Sequence, residues 1–170
     1  MELKRIIEAI LFVSPRPVSF KGLFKKIEGC SIKDVEKALN ELIREYNYSD
    51  RAIEVVQVSG GFQMRTRVEF KDWIRRFVRE KDVELTKSVL ETLATIAYKQ
   101  PVTKKEVDAI RGVDSSRAIK NLLNKRLVEI AGRDDEIGKA ITFRTTGKFL
   151  EVYGLNSIED LPTLRELESI

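Results

Sequence analysis

"AYKQPVTKKEVDAIRGVDSSRAIKNLLNKRL", residues 97–127, holds the spacing that decides the fold. Pro101 ends one helix, because the residue before a proline is pushed out of the α region. "VTKKEVDAI" supplies a short second helix closed by Gly112, and Asp114 stands as the N-cap of "SSRAIKNLLNKRL". The core face of that last helix is Ile119, Leu122, Leu123 and Leu127. Helix, tight turn, helix is the helix-turn-helix arrangement, whose second helix suits a nucleic-acid groove. Acids interrupt its basic residues, so the stretch poses a choice between a DNA groove and another protein.

Upstream, Val89, Leu90, Leu93, Ala94 and Ala97 mark one face of a further helix. Downstream, "VEIAG" and "AITFRTT" alternate as strands around the loop "RDDEIGK", and "KFLEVYG" makes a terminal helix capped by Gly154. The order is helix, helix, helix, hairpin, helix. The same order is written earlier in the chain. Leu3, Ile6, Ile7, Ile10 and Leu11 form an apolar stripe that stops at "SPRP". Ser19 N-caps "SFKGLFKKI", which Gly29 ends; Ser31 and Asp34 form a capping box for a helix with Ile32, Val35, Leu39, Leu42, Ile43 and Tyr46 on its core face. "IEVVQV" and "GFQMRT" are a hairpin across Gly60 and Gly61, and Phe70, Trp73, Ile74, Phe77 and Val78 give the following helix an apolar face.

Pro17, Val18 and Ser19 match Pro101, Val102 and Thr103 at an offset of 84, while Arg65, Thr66 and Phe70 match Arg144, Thr145 and Phe149 at 79. Three helices with a two-stranded hairpin are a winged helix. The fold class expected is therefore mainly α with small β-hairpins, as tandem winged-helix domains. Their expected bounds are 1–80 and 85–160, with a charged linker at 81–84 and a short tail at 161–170.

Composition narrows the chemistry. Of 170 residues, 42% are hydrophobic and 34% charged, which describes a globular chain and not a disordered one. No apolar run approaches the roughly 18 residues that span a bilayer. Acids sit within "MELKRIIEAI", where a signal peptide would place its apolar core, so the expectation is a cytoplasmic protein without membrane contact. A single cysteine, Cys30, builds neither an internal disulfide nor a cysteine-based zinc site. The absence of histidine removes Ser/His/Asp and Cys/His catalysis. The net charge of +4 is spread evenly: 17 basic against 14 acidic residues up to Glu84, and 14 against 13 after it.

The recognition helix of the first copy offers Lys33, Asp34, Glu36, Lys37 and Asn40, whose carboxylates repel phosphate. The second copy offers Ser115, Ser116, Arg117, Lys120, Asn121, Asn124 and Lys125, with Lys104 and Lys105 before them, but its wing loop carries Asp134, Asp135 and Glu136. DNA contact is expected to be weak, through Lys104, Lys105, Lys120, Asn121 and Lys125. The glycines of "VSGGF" make a turn and not a phosphate loop, since no Lys-Ser or Lys-Thr follows. No catalytic, metal or cofactor site is expected; the adjacent acids read as solvated. The aromatics Phe20, Phe24, Phe70, Trp73 and Phe77 fit either core packing or an interface, and the second reading makes the first domain a homodimer contact.

"ETLATIAYKQPVTKKEVDAIRGVDSSRAIKNLLNKRLVEIAGR" followed by "FRTTGKFLEVYGLNSIEDLP" closely resembles the segregation and condensation protein B family of bacteria and archaea, and "IIEAILFVSPRPVS" matches that family's start. Ala140 departs from the family, which commonly has proline there, and the tail "TLRELESI" is short. The resemblance implies a non-enzymatic subunit of the condensin-like complex that compacts and segregates chromosomes, associated with the nucleoid. It implies a homodimer, joined largely through the first domain, that clasps a segment of the kleisin subunit (segregation and condensation protein A) and through it works with the structural maintenance of chromosomes (SMC) ATPase. On that basis Phe20, Phe24, Trp73 and Phe77 are the candidates for dimerisation, and Tyr98, Arg111, Ser115, Arg117 and Tyr153 for the partner face. The alternative is a tandem winged-helix transcription regulator reading bases with Arg117, Lys120 and Asn121.

Overall fold

A computed structural model describes residues 2–78, 85–134, 139–163 and 166. The chain divides into two units, one of Met1–Glu80 with Gly154–Ile170 and the other of Lys81–Tyr153. The linker expected at 81–84 lies outside the described residues, as does most of the tail at 161–170. The sequence reading ran the second domain to residue 160, whereas the structure places the chain from Gly154 onward with the first unit. Hydrogen bonds explain the difference: the Ser59 amide donates to the Leu155 carbonyl at 2.9 Å, and the Gly60 amide to the Asn156 carbonyl at 3.2 Å and side-chain Oδ1 at 3.1 Å.

In the first unit, helix α1 (Leu3–Val13) buries Ile7 and Leu11 and lays Leu3 and Ile10 against the same cluster. It ends where the Ser14 hydroxyl donates to the Ile10 carbonyl at 2.6 Å, ahead of Pro15 and Pro17. Helix α2 (Phe20–Lys26) starts on Ser19, whose Oγ accepts from the Gly22 amide. Helix α3 (Ile32–Asn47) opens on a complete capping box: Ser31 Oγ accepts from the Asp34 amide, and Asp34 accepts from the Ser31 amide at 2.9 Å. Its buried residues are Val35, Ala38, Leu39, Leu42 and Tyr46; Ile32, expected on the core face, is exposed, because the helix's first position precedes the packed turns. The Arg67 guanidinium donates to the carbonyls of Tyr46 and Asn47 at the end of α3, groups that the helix itself cannot satisfy.

Strands β1 (Ile53–Val58) and β2 (Gly61–Thr66) pair antiparallel around Ser59 and Gly60, both left-handed at φ 52° and 69°. Val18 bonds both ways with Phe62 at 2.9 Å, and a Cβ on Gly61 would meet the Val18 backbone at 3.0 Å, so that glycine serves close approach as well as the turn. A 3₁₀ turn (Val68–Phe70) leads into helix α4 (Lys71–Phe77), which buries no residue.

The second unit repeats the plan with helix α5 (Lys87–Lys99), strand β3 (Val102–Thr103), helices α6 (Lys104–Arg111) and α7 (Ser116–Asn124), strands β4 (Val128–Asp134) and β5 (Ala140–Thr145), and helix α8 (Gly147–Tyr153). Its sheet order is β3-β5-β4. Val102 pairs with Phe143 as Val18, a single bridge residue, pairs with Phe62, so each unit runs helix, bridge or short strand, helix, helix, strand, strand, which is the winged-helix order.

Three local expectations shift. The buried face of α5 is Val89, Thr92, Leu93, Ile96 and Ala97, with Leu90 and Ala94 outside; the Thr92 hydroxyl folds back on the Ser88 carbonyl at 2.9 Å, so a threonine lines the core. The N-cap position of α7 falls on Ser115, one residue later than expected, but its side chain makes no capping bond and the capping oxygen comes from Asp114. The Ser115 amide donates to Asp108 at 2.7 Å, and Asp114 takes the Ser116 amide and hydroxyl. Helix α7 also stops at Asn124, short of Leu127: Arg126 turns left-handed at φ 57°, its amide donates to the Leu123 carbonyl, and the Leu127 amide to the Leu122 carbonyl, a Schellman closure. Leu127 is buried nonetheless. No described helix is long and apolar enough to cross a membrane.

Candidate functional site

The first unit presents its apolar surface on α4. Trp73 is 63% exposed and Phe77 86%, one turn apart on a helix with no buried residue, with the Arg76 guanidinium 4.8 Å from the Trp73 ring centre. Core packing therefore does not account for these aromatics. Phe20 and Phe24, the other two dimer candidates, are half-buried and pack against the core of their own unit. The sequence reading missed Phe12, 75% exposed, and its neighbour Val13 at the end of α1. The signal was present, since Phe12 falls outside the apolar stripe through Leu3, Ile7 and Leu11.

In the second unit the five partner-face candidates separate into two groups. Arg111 has only 7% of its side chain exposed and ties α6 to α5: it donates to the Thr92 hydroxyl at 2.8 Å and the Ser88 hydroxyl at 3.1 Å, and pairs with Glu91 at 2.9 Å. Ser115 is fully buried, its amide spent on Asp108. Both side chains are turned inward and hold the unit together. Tyr98, Arg117 and Tyr153 are exposed, at the end of α5, the start of α7 and the end of α8. Tyr153 rests on Phe149, ring centres 4.8 Å apart, and its partial burial pushes the phenol pKa up.

The cationic candidates also divide. The Lys104 ammonium lies 2.5 Å from Asp108 and 2.6 Å from Asp114. Those bonds raise the lysine's pKa and lower those of both carboxyls. Lys105 is exposed on α6. Lys120, Asn121 and Lys125 share one shallow depression on α7 with Arg117 and Asn124. Of the wing acids, Asp135 and Glu136 lie outside the described residues, and only the backbone of Asp134 is described. A depression between α3 and the start of α1 is lined by Glu2, Asp34 and Glu41 together with Lys4 and Lys37, a mixed-charge surface.

The family model for "Segregation and condensation complex subunit ScpB" matches residues 5–164. The chain belongs to the ScpB family. Segregation and condensation protein B of Syntrophotalea carbinolica is 42% identical over 170 residues, covering 100% of this chain and 86% of that protein. The crystal structure of ScpB from Mycobacterium tuberculosis shares 36% identity, covers 91% of this chain and 96% of that one, and gives a TM-score of 0.43. The crystal structure of a dimer of the ScpB N-terminal domain complexed with ScpA peptide shares 25% identity over 44% of this chain and 93% of that one, with a TM-score of 0.40. ScpB membership makes the chain a subunit of the segregation and condensation complex, as the resemblance implied.

Proposed function

We propose that this ScpB-family chain is a non-catalytic adaptor that dimerises through its first unit and captures a segment of the kleisin subunit, joining the SMC ATPase in chromosome condensation and segregation. The observation that carries it is α4: Trp73 and Phe77 stand in water on a helix that its own unit does not cover, and such aromatic pairs are the usual anchors of an interface. A second copy covers them. The kleisin segment binds helix-in-groove on the second unit, with Tyr98 and Tyr153 as aromatic contacts and Arg117 fixing register at the rim. Arg111 and Ser115 support that face from within and touch no partner.

Co-expression with the kleisin, followed by native mass spectrometry, tests both contacts. The expected assembly contains two copies of this chain together with kleisin; a kleisin-free monomer overturns the reading. The Tyr98→Ala/Arg117→Ala double variant is expected to weaken kleisin binding in calorimetry, and unchanged affinity removes that face.

A further inference from the structure

We propose that the exposed face of α7 holds duplex DNA by its phosphates without reading its sequence. Lys120, Asn121, Asn124 and Lys125 line one shallow depression with Arg117, and no carboxylate is among the lining residues. Structure adds two cations that the spacing of α7 does not announce. Arg126 is exposed just past the helix, and Lys148, from the start of α8, donates to the Lys125 carbonyl at 3.0 Å, which places its ammonium at the same end of α7. Among the described residues, none of these five cations is paired with a carboxylate.

The internal repeat provides the contrast. Helix α3 occupies the same place in the first unit, yet its exposed residues mix Lys33 and Lys37 with Asp34, Glu36 and Glu41, and the first wing's turn amides are taken by Leu155 and Asn156. Helix α3 thus carries Asp34, Glu36, Glu41 and Glu45, whereas α7 carries no acid. Lys104, an apparent extension of the basic face, is already neutralised by Asp108 and Asp114, so it adds no free charge to the face of α7.

Three features favour duplex DNA held by its phosphates. Helix α7 is the second helix of a helix-turn-helix, the element that fits a major groove. Its exposed positions Ser116, Arg117, Lys120, Asn121 and Asn124 include no apolar side chain, whereas a membrane-binding face interleaves cations with residues that insert. Lys120, Lys125 and Lys148 are point charges without the fixed fork that recognises a base edge, so most of the charge on this face senses phosphate density.

Fluorescence anisotropy of the full chain with a labelled random-sequence duplex, across a salt series, tests this. With three to four phosphates neutralised, log K is expected to fall against log salt with a slope of about −3. Lys120→Gln with Lys125→Gln should weaken binding at least tenfold at low salt and flatten the slope by about 2. Lys33→Gln with Lys37→Gln, the same charge change on α3, should leave both unchanged. All four lysines are at the surface, and melting at the wild-type temperature establishes that each variant is folded. The proposal is overturned by no binding at the lowest salt, by equal losses in the two variants, or by an unchanged slope in the α7 variant. A hundredfold preference for one duplex sequence, or equally tight binding to phosphatidylglycerol vesicles with the same variant loss, overturns it too. Neither α7 lysine belongs to the kleisin face above, so the α7 variant keeps kleisin binding, and failure of one reading leaves the other standing.

Discussion

Arg111 shows how a charged residue in a helix-turn-helix can work inward. Its guanidinium satisfies two hydroxyls and a carboxylate on α5, and one of those hydroxyls, on Thr92, lies in the core. Arg111→Ala is expected to destabilise the chain by about 2 kcal/mol in urea unfolding, because it removes charge-assisted bonds and leaves buried polar atoms short of partners. Kleisin affinity well below the melting temperature should be unchanged, and a selective loss of affinity in a stable variant would return Arg111 to the partner face. Arg126 is the converse case. It holds the left-handed position of a Schellman closure, where glycine is usual, and its side chain is exposed. Arg126→Gly relieves about 1 kcal/mol of backbone strain against a smaller entropic cost in the unfolded chain, a net gain of about 0.5 kcal/mol readable as a raised melting temperature.

At the scale of elements, α4 differs from every other α-helix described, each of which buries at least one residue. A seven-residue helix has little stability of its own in water, so α4 depends on packing that its own unit does not supply. Trp73→Ala with Phe77→Ala is expected to halve the mass measured by light scattering while changing the stability of the dissociated chain by no more than about 0.5 kcal/mol, as is usual for exposed positions. A double variant that keeps the parental mass places the dimer contact elsewhere, with Phe12 and Val13 next in line.

Across the whole molecule, acid sensitivity follows from how the helices begin. The Ser31 hydroxyl holds Asp34, the Thr103 amide holds Glu106, and Lys104 holds Asp108 and Asp114 below the usual carboxylate range. The folded chain therefore binds fewer protons than the unfolded one in mild acid. This stability is complete above about pH 5 and is lost as pH falls below about 4. Lys104 is shifted the opposite way, so its contribution is complete below its unfolded value and fades only as pH rises beyond about 10.4. Melting curves at pH 7, 5 and 3 should show the acid-side loss, and Lys104→Met should make it shallower by releasing Asp108 and Asp114 toward ordinary values. An acid-side loss equally steep in that variant would mean that other carboxyls control it.

The sequence by itself determined the repeat, the helix order and both hairpins, because apolar period, prolines and capping residues act over a few neighbours: Ser31 with Asp34 and Ser19 with Gly22 cap as their spacing requires. It also carried the family, across residues 5–164. Contacts between residues distant in sequence belonged to the tertiary structure. The two-residue strand at Val102 exists only through its pairing with Phe143, and the place of Gly154 onward only through bonds to Ser59 and Gly60. The surface was decided there too. The letters of Arg111, Ser115 and Lys104 advertise chemistry that packing had already used, while Trp73 and Phe77, whose letters suit a core, were left in water because no described element of their unit covers them.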